Sequence, residues 1–473
     1  MKKNEYFTVI AFILMAVICL FTLGSCSNDT DDGGENDGII SEFFDGLGIE
    51  SNPYIIDSLK KLQNMRDLVN DNTDKGIYCK AHYLQTENIN LNNMEWVSIG
   101  TSLHEFIGVY NGGNKTISNL KTTGNNMGLF NYLGENSSNN YSIGAEIKNL
   151  GINGVDIKCT GSAGVIAGHV ENGAIINCWV LGGSITADGN CCGGITGYMW
   201  GNDAIVESCY ADGLTINAPN DAETGGTGGV VGLCYGGKVL KSYADAEVSG
   251  KNNTGGVVGN FYMGSVERCF SKGKVTSSGG AWANAGGITG RNYGSPVSNC
   301  YSTSDVTADL SAGGVVGFIL GLVEYCYARG TITSTAVTDG AAGGIGGSLG
   351  TNNIQNCIAL NPKVSAFDSN KLGRIVGDMD LAGVGRNNYV FNGLLLYEGS
   401  TLYTPTTTGD EATDINTKHG YSTALYSLFY LEHRDHYDDA TKWYNNKPWD
   451  FDKIWEIKGN NLPILKEFDG VTQ

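Results

Sequence analysis

Of 473 residues, 69 are glycine, well above the roughly 7% of average usage and without a Gly-X-Y period, which excludes collagen and argues against an ordinary helical or α/β enzyme body. Lys+Arg 30 against Asp+Glu 49 leaves a net charge of −19, so nucleic acid and anionic membrane surfaces are poor partners.

Lys2 and Lys3 precede an apolar run from Phe7 to Leu23 that ends in Leu23-Gly24-Ser25-Cys26, the layout of an export signal. The junction resembles a bacterial lipobox, which implies that residues 1–25 are removed and that Cys26 carries the lipid. An ordinary signal peptide or a membrane anchor are the alternatives. The acidic, glycine-rich "SNDTDDGGENDG" that follows cannot pack, and residues 26–50 are expected to form a flexible tether. Its acidic residues resemble the surface-export signal of Bacteroidetes lipoproteins, which implies an outer-membrane lipoprotein displayed on the cell surface, touching the membrane through that lipid only.

From Ile55 to Val69, apolar residues at Ile55, Ile56, Leu59, Leu62, Met65, Leu68 and Val69 make a helical stripe, with Asp57 or Ser58 as its start signal. This helix is expected as the lid of an N-terminal cap over residues 51–98.

Glycine clusters then recur as "AGVIAG", "GGITG", "GGVVG", "GGVVG", "GGITG", "GGVVG", "GGIGG" and "GRIVG". Their last glycines fall at 168, 197, 232, 259, 290, 317, 347 and 377, so the spacings are 29, 35, 27, 31, 27, 30 and 30. A sustained period in this range is the mark of a repeat architecture. No unit holds a helix-length amphipathic run, and each offers short β-branched pieces between Gly, Asn and Ser. The expectation is an all-β chain, a parallel β-helix (solenoid) of about nine coils over residues 99–391, with a helical N-terminal cap and a mixed C-terminal cap over 392–473.

Each unit places a lone cysteine at the same phase: Cys178, Cys209, Cys269, Cys300, Cys326 and Cys357, with Ser242 as one replacement. "TISNLKT" and "EIKNLGI" fit the frame with Leu120 and Leu150 at the cysteine position, so the column faces the core and cysteine serves as a small buried hydrophobe. Stacked parallel side chains keep their Cβ atoms near the ~4.8 Å rung spacing, wider than the ~3.8 Å of a disulfide, so free thiols are expected. Neighbouring Cys191 and Cys192 are also expected to stay unbridged. Ligands some 30 residues apart form a row and not a tetrahedron, so no metal is expected. Asn177, Asn299 and Asn356, each just before the cysteine, suggest a corner. It reconciles inward Ile175, Val266, Val297, Val323 and Ile354 with inward Val248, Val275, Val306 and Ile332.

The residue after each cysteine then points outward: Trp179, Tyr210, Tyr243, Phe270, Tyr301 and Tyr327, followed by Ile358, with Lys121 and Gly151 at this place in the leucine rungs. Such a stripe is a candidate contact surface for a glycan or a protein, or its rings lie on one another and stabilise the coil. Asp245 should sit beside Lys272, and Lys274 between Glu247 and Asp305, rows of alternating charge unlike the paired carboxylates of a glycosidase.

The units resemble glycine-rich bacterial surface proteins carrying the GLUG motif, which read much like "GGVVG…V..CY..G.V"; the flanks "NPYIIDSLKKLQNMRDLVND" and "WDFDKIWEIKGNNLPILK" resemble the ends of such proteins. The resemblance implies the fold; such repeats occur in adhesins, in immunoglobulin A peptidase chains and in surface proteins without assigned activity. Ser242 and an insertion around "NAPNDAETGGT" depart from it. At the far end Thr423 to His433 reads as a helix, followed by the aromatic "WDFDKIW", both as capping elements. "GGSLG" fits G-x-S-x-G but leads into no helix. "HRDH" holds His433 and His436 near Asp435, Asp438 and Asp439 as a surface metal site or a solvated helix end. No phosphate loop or HExxH motif occurs, so no cofactor and no catalytic residue is assigned. The functional expectation is a surface-displayed adhesion or glycan/protein-binding module. A polysaccharide-degrading β-helix enzyme and a structural spacer are the rivals.

Overall fold

The computed structural model describes residues 41–72, 76–134, 145–350, 353–379, 384–391, 393–404, 437–442, 444–458 and 462–468. Among these the chain winds as a parallel β-solenoid of about ten turns. One turn shows the plan. Ile205–Glu207 and Tyr210–Ala218 belong to a long 26-stranded sheet, Gly226–Gly228 to an eight-stranded second sheet and Val231–Tyr235 to a nine-stranded third sheet, after which Lys238–Leu240 starts the next turn.

Successive turns pair in register: Val239 lies between Val206 and Val266, Val248 between Ile216 and Val275, and Val231 between Thr196 and Val258. Like residues therefore stack into columns about 4.8 Å per step, and the interior columns are mostly β-branched. The glycine clusters mark where the turn is thinnest. A Cβ on Gly229 would stand 2.5 Å from the Ala244 Cβ, and one on Gly256 would stand 2.6 Å from the Ser271 Cβ. The glycine cluster and the small residue two places after the cysteine are thus two sides of one close approach.

The corner before the cysteine column is left-handed on turn after turn: Asn149 (φ 54°), Asn177 (52°), Ser208 (56°), Lys241 (46°), Arg268 (56°), Asn299 (53°), Tyr325 (54°) and Asn356 (56°). Asparagine tolerates this conformation, whereas serine, lysine, arginine and tyrosine hold it because the neighbouring rungs impose it. The corner leaves the next amide without a ladder partner, and the column takes it up. The N–H of Cys209 donates to Ser242 Oγ (3.1 Å), that of Cys269 to Cys300 Sγ (3.4 Å), that of Cys300 to Cys326 Sγ (3.4 Å) and that of Cys357 to Asn388 Oδ1 (3.0 Å). In turn Cys300 Sγ donates to Ser298 O (3.2 Å), Cys326 Sγ to Glu324 O (3.2 Å) and Ser242 Oγ to Leu240 O (2.8 Å). The column is therefore polar as well as buried, which explains how serine and asparagine share it. The eleven described cysteines are free and buried, and burial pushes the thiols of Cys269, Cys300 and Cys326 well up.

Leu150 stands in this column, since Gly151 beside it pairs with Trp179. Leu120 does not. It pairs with Val155, and Asn119 (φ 60°) lies level with Gly154 (69°), Gly182 (66°) and Gly213 (69°), a second left-handed corner later in the turn. Leu120 is buried, yet in a different column, and Lys121 pairs with Asp156 away from the row of outward rings.

At the N-terminal end, the helix Leu59–Asn70 is capped by Ser58, whose hydroxyl accepts from the Lys61 N–H (3.5 Å), and it buries Leu62, Met65, Leu68 and Val69. Ile55 and Ile56 lie outside it, in the strand Tyr54–Ile56, where Tyr54 pairs with Tyr83 and Tyr83 with Tyr110. Residues 51–98 thus supply both a helix and the first rungs of the long sheet. Rings of Phe44, Tyr54, Tyr78 and Tyr83, 5.0 to 6.1 Å apart, fill these first turns.

At the other end Leu395–Glu398 pairs with Lys363–Ala366 and folds back on Thr401–Tyr403 as an antiparallel hairpin. No helix among the described residues is long and apolar enough to cross a membrane. Cys26, the export signal, the segment Thr423 to His433 and the "HRDH" histidines fall outside the described residues.

Candidate functional site: an exposed aromatic face on the third sheet

The rings after the cysteine column form one outward row. They stack on each other: Trp179 on Tyr210 (6.5 Å, 16°), Tyr210 on Tyr243 (4.9 Å, 3°), Tyr243 on Phe270 (4.4 Å, 10°), Phe270 on Tyr301 (4.9 Å, 4°) and Tyr301 on Tyr327 (5.0 Å, 8°). Near-parallel rings at the rung spacing spend their faces on one another.

The row is also covered. The described residues of 437–468 lie along the side of the solenoid, and Tyr437, Trp449, Phe451, Ile454, Trp455 and Leu465 form a second apolar core with Tyr243, Phe270, Tyr301, Tyr327 and Ile358. Phe468 meets Phe270 edge-on (4.8 Å, 80°), and Trp455 lies 6.3 Å from Tyr301 and 6.1 Å from Tyr327. The Tyr327 hydroxyl donates to Pro463 O (2.8 Å), the Tyr325 hydroxyl to Lys447 O (3.3 Å), and Arg268 pairs with Glu467 (3.0 Å). Tyr243, Phe270, Tyr301 and Tyr327, a row open to two readings as a contact stripe or as rings stacked on one another, are therefore stacked and buried, and burial raises the Tyr327 phenol well above its usual pKa. Trp179 and Tyr210 stay partly open, with the indole of Trp179 lying over Gly151. Of the C-terminal cap expected over 392–473, the hairpin Leu395–Glu398 with Thr401–Tyr403 continues the end of the solenoid, whereas the described residues of 437–468 form a lateral strap.

A different row is open. Trp200, Tyr235, Tyr262 and Tyr293 end successive strands of the third sheet and pair with one another in register. Trp200 stacks on Tyr235 (4.5 Å, 6°), but Tyr262 tilts by 30° from Tyr235 (5.6 Å) and Tyr293 by 35° from Tyr262 (5.4 Å), which opens part of each face. Trp200 is 39% exposed, Tyr293 49% and Met263 beside them 50%. The loop between Phe270–Ser277 and Asn284–Gly286 adds Trp282, 37% exposed, whose backbone N–H donates to Asn252 Oδ1 (3.2 Å).

Arg291 stands at the centre of this cluster. Its Cζ lies 4.9 Å from the Trp282 ring centre, 5.4 Å from Tyr293, 5.8 Å from Phe318 and 5.9 Å from Tyr262. Its Nε is buried with no hydrogen-bond partner among the described residues. The row was within reach of the sequence: each ring falls three places after the last glycine of its cluster, at Gly197, Gly232, Gly259 and Gly290.

Toward the N-terminal side of the same face, His169 lies between Tyr132 (4.6 Å) and Tyr198 (5.2 Å). Burial lowers its pKa to about 4, so the ring is neutral at pH 7. Glu171, in register with Trp200, has its carboxyl pKa raised by burial and by Glu105. Elsewhere, Lys272 meets Asp245 at 3.1 Å, and Lys274 stands in register between Glu247 and Asp305. Ser348 of "GGSLG" lies in the strand Gly346–Leu349, not on a strand-to-helix turn, and shares a hydrogen bond with Ser311 Oγ (2.8 Å).

No family model matches the chain. A protein of Evansella cellulosilytica provisionally named a Gly-rich membrane protein is 26% identical over 181 residues, which are 36% of this chain and 18% of the relative, so the chain spans under a fifth of that protein. Among solved structures, a Bacteroides ovatus protein provisionally described as an immunoglobulin A1 protease aligns over 90% of this chain and 96% of its own length at 17% identity, with a TM-score of 0.39. An IgA1 protease aligns over 59% of this chain and 22% of its own length at 13% identity, with a TM-score of 0.41.

Proposed function

We propose that this is a GLUG-type surface lipoprotein, held in the outer membrane through a lipid on Cys26, whose third-sheet aromatic face binds a glycan or another cell-surface protein. The observation that carries this reading is the contrast between the two outward aromatic rows. One is stacked flat and, from Tyr243 to Tyr327, buried under the described residues of 437–468, while the other keeps Trp200 and Tyr293 open, with Trp282 of the neighbouring loop also exposed and Arg291 between Trp282 and Tyr293. Exposed rings with tilted faces cost solvation and add little to the core, which is the signature of a contact surface. Protein ligands and sugar rings both use such faces.

A glycan array on the purified full chain tests it. Binding should fall at least tenfold in Trp282→Ala plus Tyr293→Ala with melting unchanged, and should survive Trp179→Ala plus Tyr210→Ala. The reverse pattern would move the site to the open end of the stacked row. Release of reducing ends or unsaturated products from a bound glycan would replace binding by degradation. Protease shaving of intact cells tests surface display, and complete protection would contradict it.

A further inference from the structure

Resting on that reading, we infer that the third-sheet face takes a glycan bearing a carboxylate, read by Arg291. Three features converge on it. First, Arg291 is held among four rings, so it is kept in place without an acidic partner, and no carboxylate pairs with it among the described residues. In a chain with 49 acidic residues and 30 basic ones, an arginine left unpaired is unexpected. Second, the rungs nearest it carry no acid: Asn260 and Phe318 flank it in its own column, where Asp378 comes only three rungs away beyond Ser348, and Tyr262 and Tyr293 stand in the next, where Glu171 comes only beyond Trp200. On this part of the face Arg291 is thus a cation with no acid adjacent in register. Third, Arg291 is half-buried, its Cζ lies 4.9 Å from the ring centre of the partly exposed Trp282, and its buried Nε has no hydrogen-bond partner among the described residues, so its N–H donors are available to a ligand.

A guanidinium edge presents two parallel N–H donors that match a carboxylate fork, and the neighbouring half-open rings of Tyr293 and Trp282 can take the apolar face of the sugar that bears it. The net charge of −19 repels a polyanion at long range, so steering contributes nothing and the contact acts at short range. That favours recognition of spaced carboxylates along a glycan over a densely charged chain.

The test titrates the full chain with three probes: hyaluronan oligosaccharides, the same oligosaccharides with their carboxyls reduced to alcohols, and heparin oligosaccharides of equal length. Hyaluronan should bind, and the reduced form should bind about tenfold to a hundredfold more weakly, the loss of one bidentate charge-assisted contact. Arg291→Gln and Arg291→Lys should each lose a similar factor with unchanged melting, since lysine restores the charge but not the fork. Equal binding of native and reduced oligosaccharide, or an unchanged Arg291→Gln, overturns the inference. If both forms then still depend on Trp282 and Tyr293, the aromatic contact surface stands without the carboxylate. If neither depends on those rings, both proposals fall. Tight heparin binding that survives carboxyl reduction would assign the site to sulfate, and no binding of any probe would also remove the carboxylate inference.

Discussion

If the cysteine column caps corner amides, Cys300→Ser should be milder than Cys300→Ala, the reverse of the order expected for a purely apolar site. In the native protein Cys300 Sγ accepts from the Cys269 N–H (3.4 Å) and donates to Ser298 O (3.2 Å), and both residues are fully buried. Alanine removes the acceptor and leaves a buried amide unpaired, at a cost of about 1–3 kcal/mol, to which the lost sulfur volume adds on the order of 1 kcal/mol. Serine keeps both roles, as Ser242 does with Cys209 N–H (3.1 Å) and Leu240 O (2.8 Å). Global melting of a repeat protein need not be two-state, so the direct assay is hydrogen exchange at the Cys269 amide. Exchange should accelerate roughly fivefold to 150-fold in Cys300→Ala and change far less in Cys300→Ser. Equal exchange in the two variants, or faster exchange in the serine variant, would refute the capping role and return the column to simple packing.

Three further outcomes follow from the same coordinates. Ser208 is exposed with φ at 56°, so Ser208→Asn should stabilise its turn by about 0.5–1 kcal/mol, read as a higher urea midpoint; a lower midpoint would show that the serine hydroxyl matters more than the backbone. Trp455 is fully buried against Tyr301 and Tyr327, so Trp455→Ala should weaken the strap by about 3–5 kcal/mol and open residues 437–468 to limited proteolysis while the solenoid resists; an intact strap would contradict the second core. His169, with a folded pKa of about 4 against roughly 6.5 unfolded, is neutral in the fold where the unfolded chain is already protonated. Stability from this group is therefore complete above about pH 6.5 and falls as pH drops toward 4, by at most about 3 kcal/mol. His169→Phe should flatten that part of the pH profile relative to the parent chain, and an unchanged slope would place the acid sensitivity elsewhere.

The solenoid was legible because a period near thirty residues fixes the register: once Cys269, Cys300 and Cys326 are aligned, the partners of Val266, Phe270 and Val275 follow. Two features escaped for definite reasons. Asn119-Leu120 and Asn149-Leu150 look alike in sequence, but the turn has two left-handed corners, and an Asn-Leu pair marks either. The cover over the stacked rings comes from Pro463 and its neighbours, 136 residues beyond Tyr327, and no repeat connects the two. A periodic sequence reports its own turns well and says little about what folds back over them.

The two aromatic rows show why outward direction alone does not define a contact surface. In-register rungs place equivalent rings about 4.8 Å apart, so the default outcome is a flat stack that offers only edges. The row from Tyr210 to Tyr327 takes that outcome at 3° to 10°, and its edges suit the edge-to-face ring of Phe468 and the tilted indole of Trp455 better than a sugar. On the third sheet, Tyr262 and Tyr293 depart by 30° and 35° where Arg291 and Trp282 crowd the same rungs. The tilt thus coincides with the contacts that Arg291 makes to Tyr262 and Tyr293. Arg291→Ala should therefore let Tyr262 and Tyr293 settle toward a parallel stack, and coordinates of that variant with the tilt unchanged would separate the ring geometry from the arginine.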